Sequence, residues 1–269
     1  MKTLWIWALI SFFSIHTAFS QEVSFRKEGM KDLVVDSWDY LIHGALEQFK
    51  TKNNLYYAAA ATGALWYSFE EDDRLSLNFR NKEKNNFVEF VGVAGIPLNF
   101  PIIPIAAFYY GQKKKNSHHV QFAKEYMAAM YLTLGETGLL SWIPIHERPT
   151  KATSFWETAF RQDSSFPSGH VVPYTVLTFK VLQFYGPVWA TIPLGLSVVA
   201  SYQRMRGGLH FLSDVVGAFF LSAFASEGVR SYAKYKKNHP FYKEWLEHDV
   251  SMTVMHRDGV WGPTISWNF

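Results

Sequence analysis

The 269-residue chain contains no cysteine. That single absence excludes disulfides, a thiolate nucleophile and thiolate metal sites. Long apolar runs free of charge are also scarce. Hydrophobic residues make up 48% of the chain and aromatics 17%, yet the mean hydropathy is only -0.07. That is low for a protein made mostly of clean membrane spans. Neither sign of charge is in marked excess: the net charge is +3 and the basic residues are scattered, so nucleic acid is a poor candidate partner. There is no internal repeat and no low-complexity tract, and the length demands no second domain. No cluster with metal-ligand spacing is found, so neither metal nor other cofactor is expected.

What the chain does carry is two histidines, each set among groups suited to an oxyanion. One lies in Pro167-Ser168-Gly169-His170, and the other in the stretch from Ser201 to Asp214. His210 and Asp214 are four residues apart. On a helix they share a face, and the carboxylate can hold the imidazole in one tautomer. Arg204 precedes His210 by six residues, across a Gly207-Gly208 bend that can fold it back over the same spot. Arg148-Pro149 ends an apolar segment and adds a second guanidinium. Two histidines, two arginines and an aspartate suit phosphoryl transfer through a covalent histidine.

In order and spacing these residues resemble the type 2 phosphatidic acid phosphatase superfamily, which also contains class A acid phosphatases and vanadium haloperoxidases. The resemblance covers roughly residues 87–228. Pro-Ser-Gly-His is intact at 167–170, and Arg-x5-His-x3-Asp is intact at Arg204, His210 and Asp214. Two positions depart from the pattern: Gln203 replaces the serine leading the third motif, and Ser141 replaces the lysine opening the first.

The resemblance implies His210 as nucleophile, Asp214 as its orienting partner and His170 as general acid and base. Arg148, Arg204, Ser168 and the Gly169 amides would then hold the phosphate. Ser168 and Gly169 are expected to open a helix, where free N–H groups favour an anion. Lys151 and Arg206 are the nearest cations in sequence to replace the missing lysine. Arg206 reads either as a third phosphate contact or as a solvated loop arginine, and His146 as a residue flanking Arg148. Glu136 reads as an internal hydrogen-bonding residue, and His43, His118 and His119 as surface residues.

The expected organisation begins with a secretory signal over residues 1–20, where Lys2 precedes an apolar run from Leu4 to Ile15 and Ala18-Phe19-Ser20 offers a small-x-small cleavage site. Residues 21–86 follow as an amphipathic lead-in and a short apolar helix, Leu55–Phe69, closed by the acidic run Glu70-Glu71-Asp72-Asp73 as a solvated helix end. A catalytic helical core spans 87–228, with apolar blocks at Phe87–Gly111, Val120–Ile143, Val171–Tyr185, Pro187–Ala200 and Leu209–Phe224. In the tail, 229–269, Arg257-Asp258-Gly259-Val260 carries a hairpin turn signal.

The fold expected is all-α, a bundle of about six helices at or in a membrane, with a short hairpin-like tail. Lys113-Lys114-Lys115 and the later cluster of Arg230, Lys234, Lys236 and Lys237 fall on one side if the blocks span. The positive-inside rule then places the three motifs outside the cytoplasm, on the periplasmic face or in the periplasm. The expected function is a phosphatase acting on a phosphomonoester or diphosphate of a lipid or prenyl substrate. A soluble acid phosphatase and a vanadate-dependent haloperoxidase are the alternatives. The haloperoxidases also rely on the first-motif lysine, which is absent here.

Overall fold

In the computed structural model, the described residues are 25–80, 82–145, 147–149, 164–246, 250–257 and 260–267. The expected signal at 1–20 lies outside them, as do His146 and Lys151. Their helices are α1 (Met30–Glu47), α2 (Lys52–Arg80), α3 (Asn86–Leu98), α4 (Ile102–Lys113), α5 (Ser117–Leu140), α6 (Val172–Tyr185), α7 (Pro187–Arg206), α8 (Leu212–Ala233) and α9 (Pro240–Leu246). Strands β1 (Val250–Arg257) and β2 (Val260–Trp267) pair antiparallel, with Arg257 opposite Val260. The hairpin expected in the tail is therefore present. Among the described residues there are nine helices against the expected six or so, because the lead-in forms two long helices, one apolar block breaks in two, and the tail adds a short helix.

Local signals explain the boundaries. Asn85 and Asn116 cap α3 and α5, each side chain accepting from two backbone N–H groups of the first turn. Gly186, at φ 88°, ends α6, and Pro187 starts α7 at the position where a missing N–H costs nothing. The block at Phe87–Gly111 does not run straight. It breaks at Asn99-Phe100-Pro101, and α3 and α4 meet at 74°, because proline lacks an N–H and restrains the residue before it.

The region around Leu55–Phe69 also differs from expectation. It belongs to α2, which runs 29 residues through the acidic stretch. Glu70 to Asp73 therefore lie mid-helix, and Asp72 is buried. The acidic run is a helix end only in hydropathy, since Asp72 finds a backbone partner that water would otherwise supply.

The core centres on α5 and α8. Phe122, Ala123, Tyr126, Ala129 and Met130 of α5 are fully buried among Val172, Val176 and Val181 of α6 and Ala218, Ala225 and Val229 of α8. A buried polar network joins the helices at the end away from the histidine motifs. Lys180 Nζ donates to Glu125 Oε2 at 3.0 Å, Gln183 Oε1 at 2.8 Å and the Ser226 carbonyl at 2.9 Å. Glu227 accepts from Asn53 at 2.8 Å and from Arg230 at 2.8 and 3.0 Å. Tyr242 also donates to Glu227, and burial together with that carboxylate pushes its phenol well above the ordinary value.

His119 is not a surface residue, and His118 is half-buried. His119 is buried, with Nδ1 at 2.6 Å from the Tyr185 hydroxyl, and His118 Nδ1 lies 2.8 Å from the Tyr235 hydroxyl. The polar sequence around them misled, because tyrosine hydroxyls from distant parts of the chain supply their partners. His43 is exposed and stacks on Tyr232. Among the described residues, α8 is the one helix long and apolar enough to cross a membrane, and α3 with α4 would pass as a bent pair. Much of α8 is packed inside the bundle.

Candidate active site

The second and third motifs meet at the start of α8. His210 Nδ1 lies 3.1 Å from Asp214 Oδ2, and both side chains are fully buried. A carboxylate only accepts, so Nδ1 carries the shared proton and the ring lone pair falls on Nε2. The same carboxylate receives the Phe211 amide at 2.8 Å and the Ser165 hydroxyl at 3.1 Å. Three donors fix its orientation.

The His170 ring centroid lies 6.3 Å from that of His210. The segment carrying His170 is tied to α8 directly, since the Ser168 amide donates to the Asp214 carbonyl at 3.0 Å. This corrects the expectation that Ser168 and Gly169 open a helix with free amides. Helix α6 starts at Val172, and the Ser168 N–H is engaged by α8. What Ser168 offers is its hydroxyl, which is buried and has no partner among the described residues. The Gly169 carbonyl accepts from Asn99 at 3.5 Å.

The arginines arrive from a helix end and a loop. Arg204 is buried in the last turn of α7, and its carbonyl accepts the Leu209 amide at 3.0 Å across the Gly207-Gly208 bend. Gly208 takes φ 66°, a conformation costly for a residue with a Cβ. Arg148 Nη1 donates to the Leu209 carbonyl at 3.2 Å. The first-motif loop is thereby hooked to the residue before His210.

Of the two cations read as replacements for the missing lysine, Arg206 lies among the described residues. Arg206 is buried and ion-paired with Glu89 of α3, which also accepts from Gln203 at 3.2 Å. It is not a solvated loop arginine, and Glu89 occupies its charge. Ser141 turns its hydroxyl back to the Gly138 carbonyl at 2.6 Å. Glu136 donates nothing to the site: it accepts from Gln48 of the α1 end.

Sequence reasoning missed the supporting helices. Helix α2 reaches all three motifs: Asp72 Oδ1 accepts the Ser213 amide at 2.9 Å, Arg80 Nη2 donates to the Pro149 carbonyl at 2.7 Å, and Phe69 lies 6.2 Å from the Phe166 ring. Helix α3 approaches through Gly95, where an added Cβ would fall 2.1 Å from the His170 carbonyl oxygen. Gly217 of α8 similarly makes room for the Phe166 ring, which a Cβ would meet at 2.4 Å. Ser165 was missed as well; its place two residues before the second motif is the signal that could have found it. Among the described residues no group of three His, Asp or Glu could hold a metal ion.

Residues 117–237 match the model of the PAP2 superfamily. No curated protein and no solved structure matches the chain.

Proposed function

We propose that the chain is a metal-independent phosphatase working through a phosphohistidine, a reading supported by the match of residues 117–237 to the PAP2 superfamily model. The observation that carries the reading is the His210–Asp214 pair at 3.1 Å with the His170 ring beside it. Nε2 of His210 attacks phosphorus while the bond to the leaving oxygen breaks. His170, as imidazolium, gives that oxygen its proton. The neutral His170 then takes a proton from water, the hydroxide attacks phosphorus, and the P–N bond breaks to release phosphate. Asp214 stays ionised throughout and stabilises the positive charge on the His210 ring. Arg148 and Arg204 neutralise the equatorial oxygens, and the Ser168 hydroxyl adds a neutral donor.

The substrate we favour is a lipid or prenyl phosphate, met at the outer face of a membrane after export. Supporting this are the exposed apolar residues on α3, α4 and α7, among them Phe90, Val93, Ile105, Tyr109, Ile192 and Val198. An acyl or prenyl chain needs such an apolar berth. The export leader read in residues 1–20 supports the location.

Phosphate release from lipid phosphates and water-soluble esters, measured side by side in EDTA, tests the proposal. Preference for the lipid phosphates is expected, with activity retained in chelator. Equal turnover of soluble esters would favour a non-specific acid phosphatase. Loss of activity in EDTA restored by Mg²⁺ would overturn the metal-free mechanism. Bromide oxidation by peroxide on adding vanadate, with no phosphate release, would mark a haloperoxidase.

A further inference from the structure

We propose that Arg80 of α2, outside the matched family segment, supplies the substrate phosphate with the cation that Ser141 cannot. This inference rests on the phosphatase reading. A lysine at position 141 would place an ammonium on a phosphate oxygen, but the serine there spends its hydroxyl on the Gly138 carbonyl. Arg206, the basic residue nearest to His210 in sequence, is held by Glu89. Helix α2 delivers a different guanidinium to the first motif. Arg80 Nη2 donates to the carbonyl of Pro149, the residue after Arg148, at 2.7 Å.

Two features of Arg80 go beyond propping up that loop. Its Nε is buried and meets no hydrogen-bond acceptor among the described residues. Its charge meets no carboxylate among them within ion-pair distance. A buried N–H left without an acceptor destabilises the fold, so such a group is retained where an acceptor arrives from outside. An anion bound beside Arg148 is the acceptor that also answers the charge. A guanidinium entering from another helix thus takes the place of a lysine two turns before the motif arginine.

Arg80→Gln separates the two roles, because its amide can still donate to the Pro149 carbonyl while the charge is gone. The readouts on the full chain are orthovanadate affinity by titration calorimetry, and KM and kcat for a soluble phosphomonoester. Arg80→Gln is expected to weaken vanadate about 10- to 100-fold, the scale of one charge-assisted hydrogen bond, and to raise KM in parallel. Adding Ser141→Lys to Arg80→Gln should return most of the lost affinity. Arg80→Ala with millimolar guanidinium in solution provides a second rescue arm that does not depend on the buried Ser141 position accepting a lysine.

Unchanged vanadate affinity in Arg80→Gln overturns the inference. A loss that neither rescue repairs also overturns it, since the residue would then only support the loop. Vanadate binding that depends on Arg80 in a chain that hydrolyses no phosphoester would sink the phosphatase reading and leave the anion contact standing.

Discussion

Asp72 of α2 accepts a hydrogen bond from the backbone amide of Ser213 at 2.9 Å, across 141 residues of sequence. The amide belongs to the first turn of α8, one residue before Asp214. A carboxylate from another helix therefore caps the element that carries the proposed catalytic aspartate, where both the open N–H groups and the helix dipole favour negative charge. Removing it is expected to cost about 1 kcal/mol of stability. Because the cap also sets the direction of the first turn, Asp72→Ala should lower kcat more than it changes KM. Asp72→Asn, which keeps an acceptor, should fall between. Thermal melts paired with steady-state kinetics decide it, and an unaltered kcat in Asp72→Ala would remove the positioning role.

The two histidines should fail in different ways. His210→Ala is expected to abolish turnover together with any acid-labile phosphoenzyme. His170→Ala should slow the reaction roughly 10²–10⁴-fold, yet still form phosphoenzyme from an ester with an activated leaving group. Rapid quench followed by acid lability of the label distinguishes them. Near-normal activity in His210→Ala would show that the nucleophile has been misassigned.

Gly95 offers a steric test. A Cβ at this position would lie 2.1 Å from the His170 carbonyl oxygen, a backbone atom that cannot rotate away. Gly95→Ala must push α3 and the second motif apart, at a cost of about 1–3 kcal/mol for overpacking. Denaturant unfolding should show that loss, and kcat should drop with it as His170 moves. A variant as stable and active as the parent would mean that the helices separate without strain.

Glu89 and Arg206 form an ion pair in which the arginine side chain is 6% exposed and the glutamate 34%. Glu89→Ala leaves a buried guanidinium without its counter-charge and strands the Gln203 amide that also donates to Glu89. About 2 kcal/mol of stability should be lost, less than for a fully buried pair because water reaches the glutamate. Pairing it with Arg206→Met in a double-mutant cycle measures the coupling. If the two losses simply add, the pair contributes little.

The sequence showed the site residues more clearly than the scaffold that holds them. Proline, glycine, histidine and arginine at fixed spacing are local signals, and Pro167 to His170 and Arg204 to Asp214 could be read as two pieces of one centre. The contacts joining them could not. That Asp72 reaches Ser213 and Arg80 reaches Pro149 depends on α2 continuing through four acidic residues, where hydropathy alone ends a helix. The break at Asn99-Phe100-Pro101 was signalled by its proline, yet the apolar character on both sides concealed it. His118 and His119 looked solvated because tyrosines more than 60 residues distant supply their partners.

The Lys180 network gives the bundle a vernier. Lys180 stands ten residues beyond His170 on α6, and Ser226 twelve beyond Asp214 on α8. At a rise of about 1.5 Å per residue, each lies roughly 15–18 Å from the chemistry. A slide of α6 by a single residue would carry the ammonium, with its neighbour Gln183, away from Glu125 and the Ser226 carbonyl together. Such a slide would also alter the separation of the two imidazoles. Apolar residues of equal volume could fill that space with similar stability, but they would accept several neighbouring alignments. The distance between His170 and His210 is thus gauged from the opposite end of the molecule, by groups that never meet a substrate.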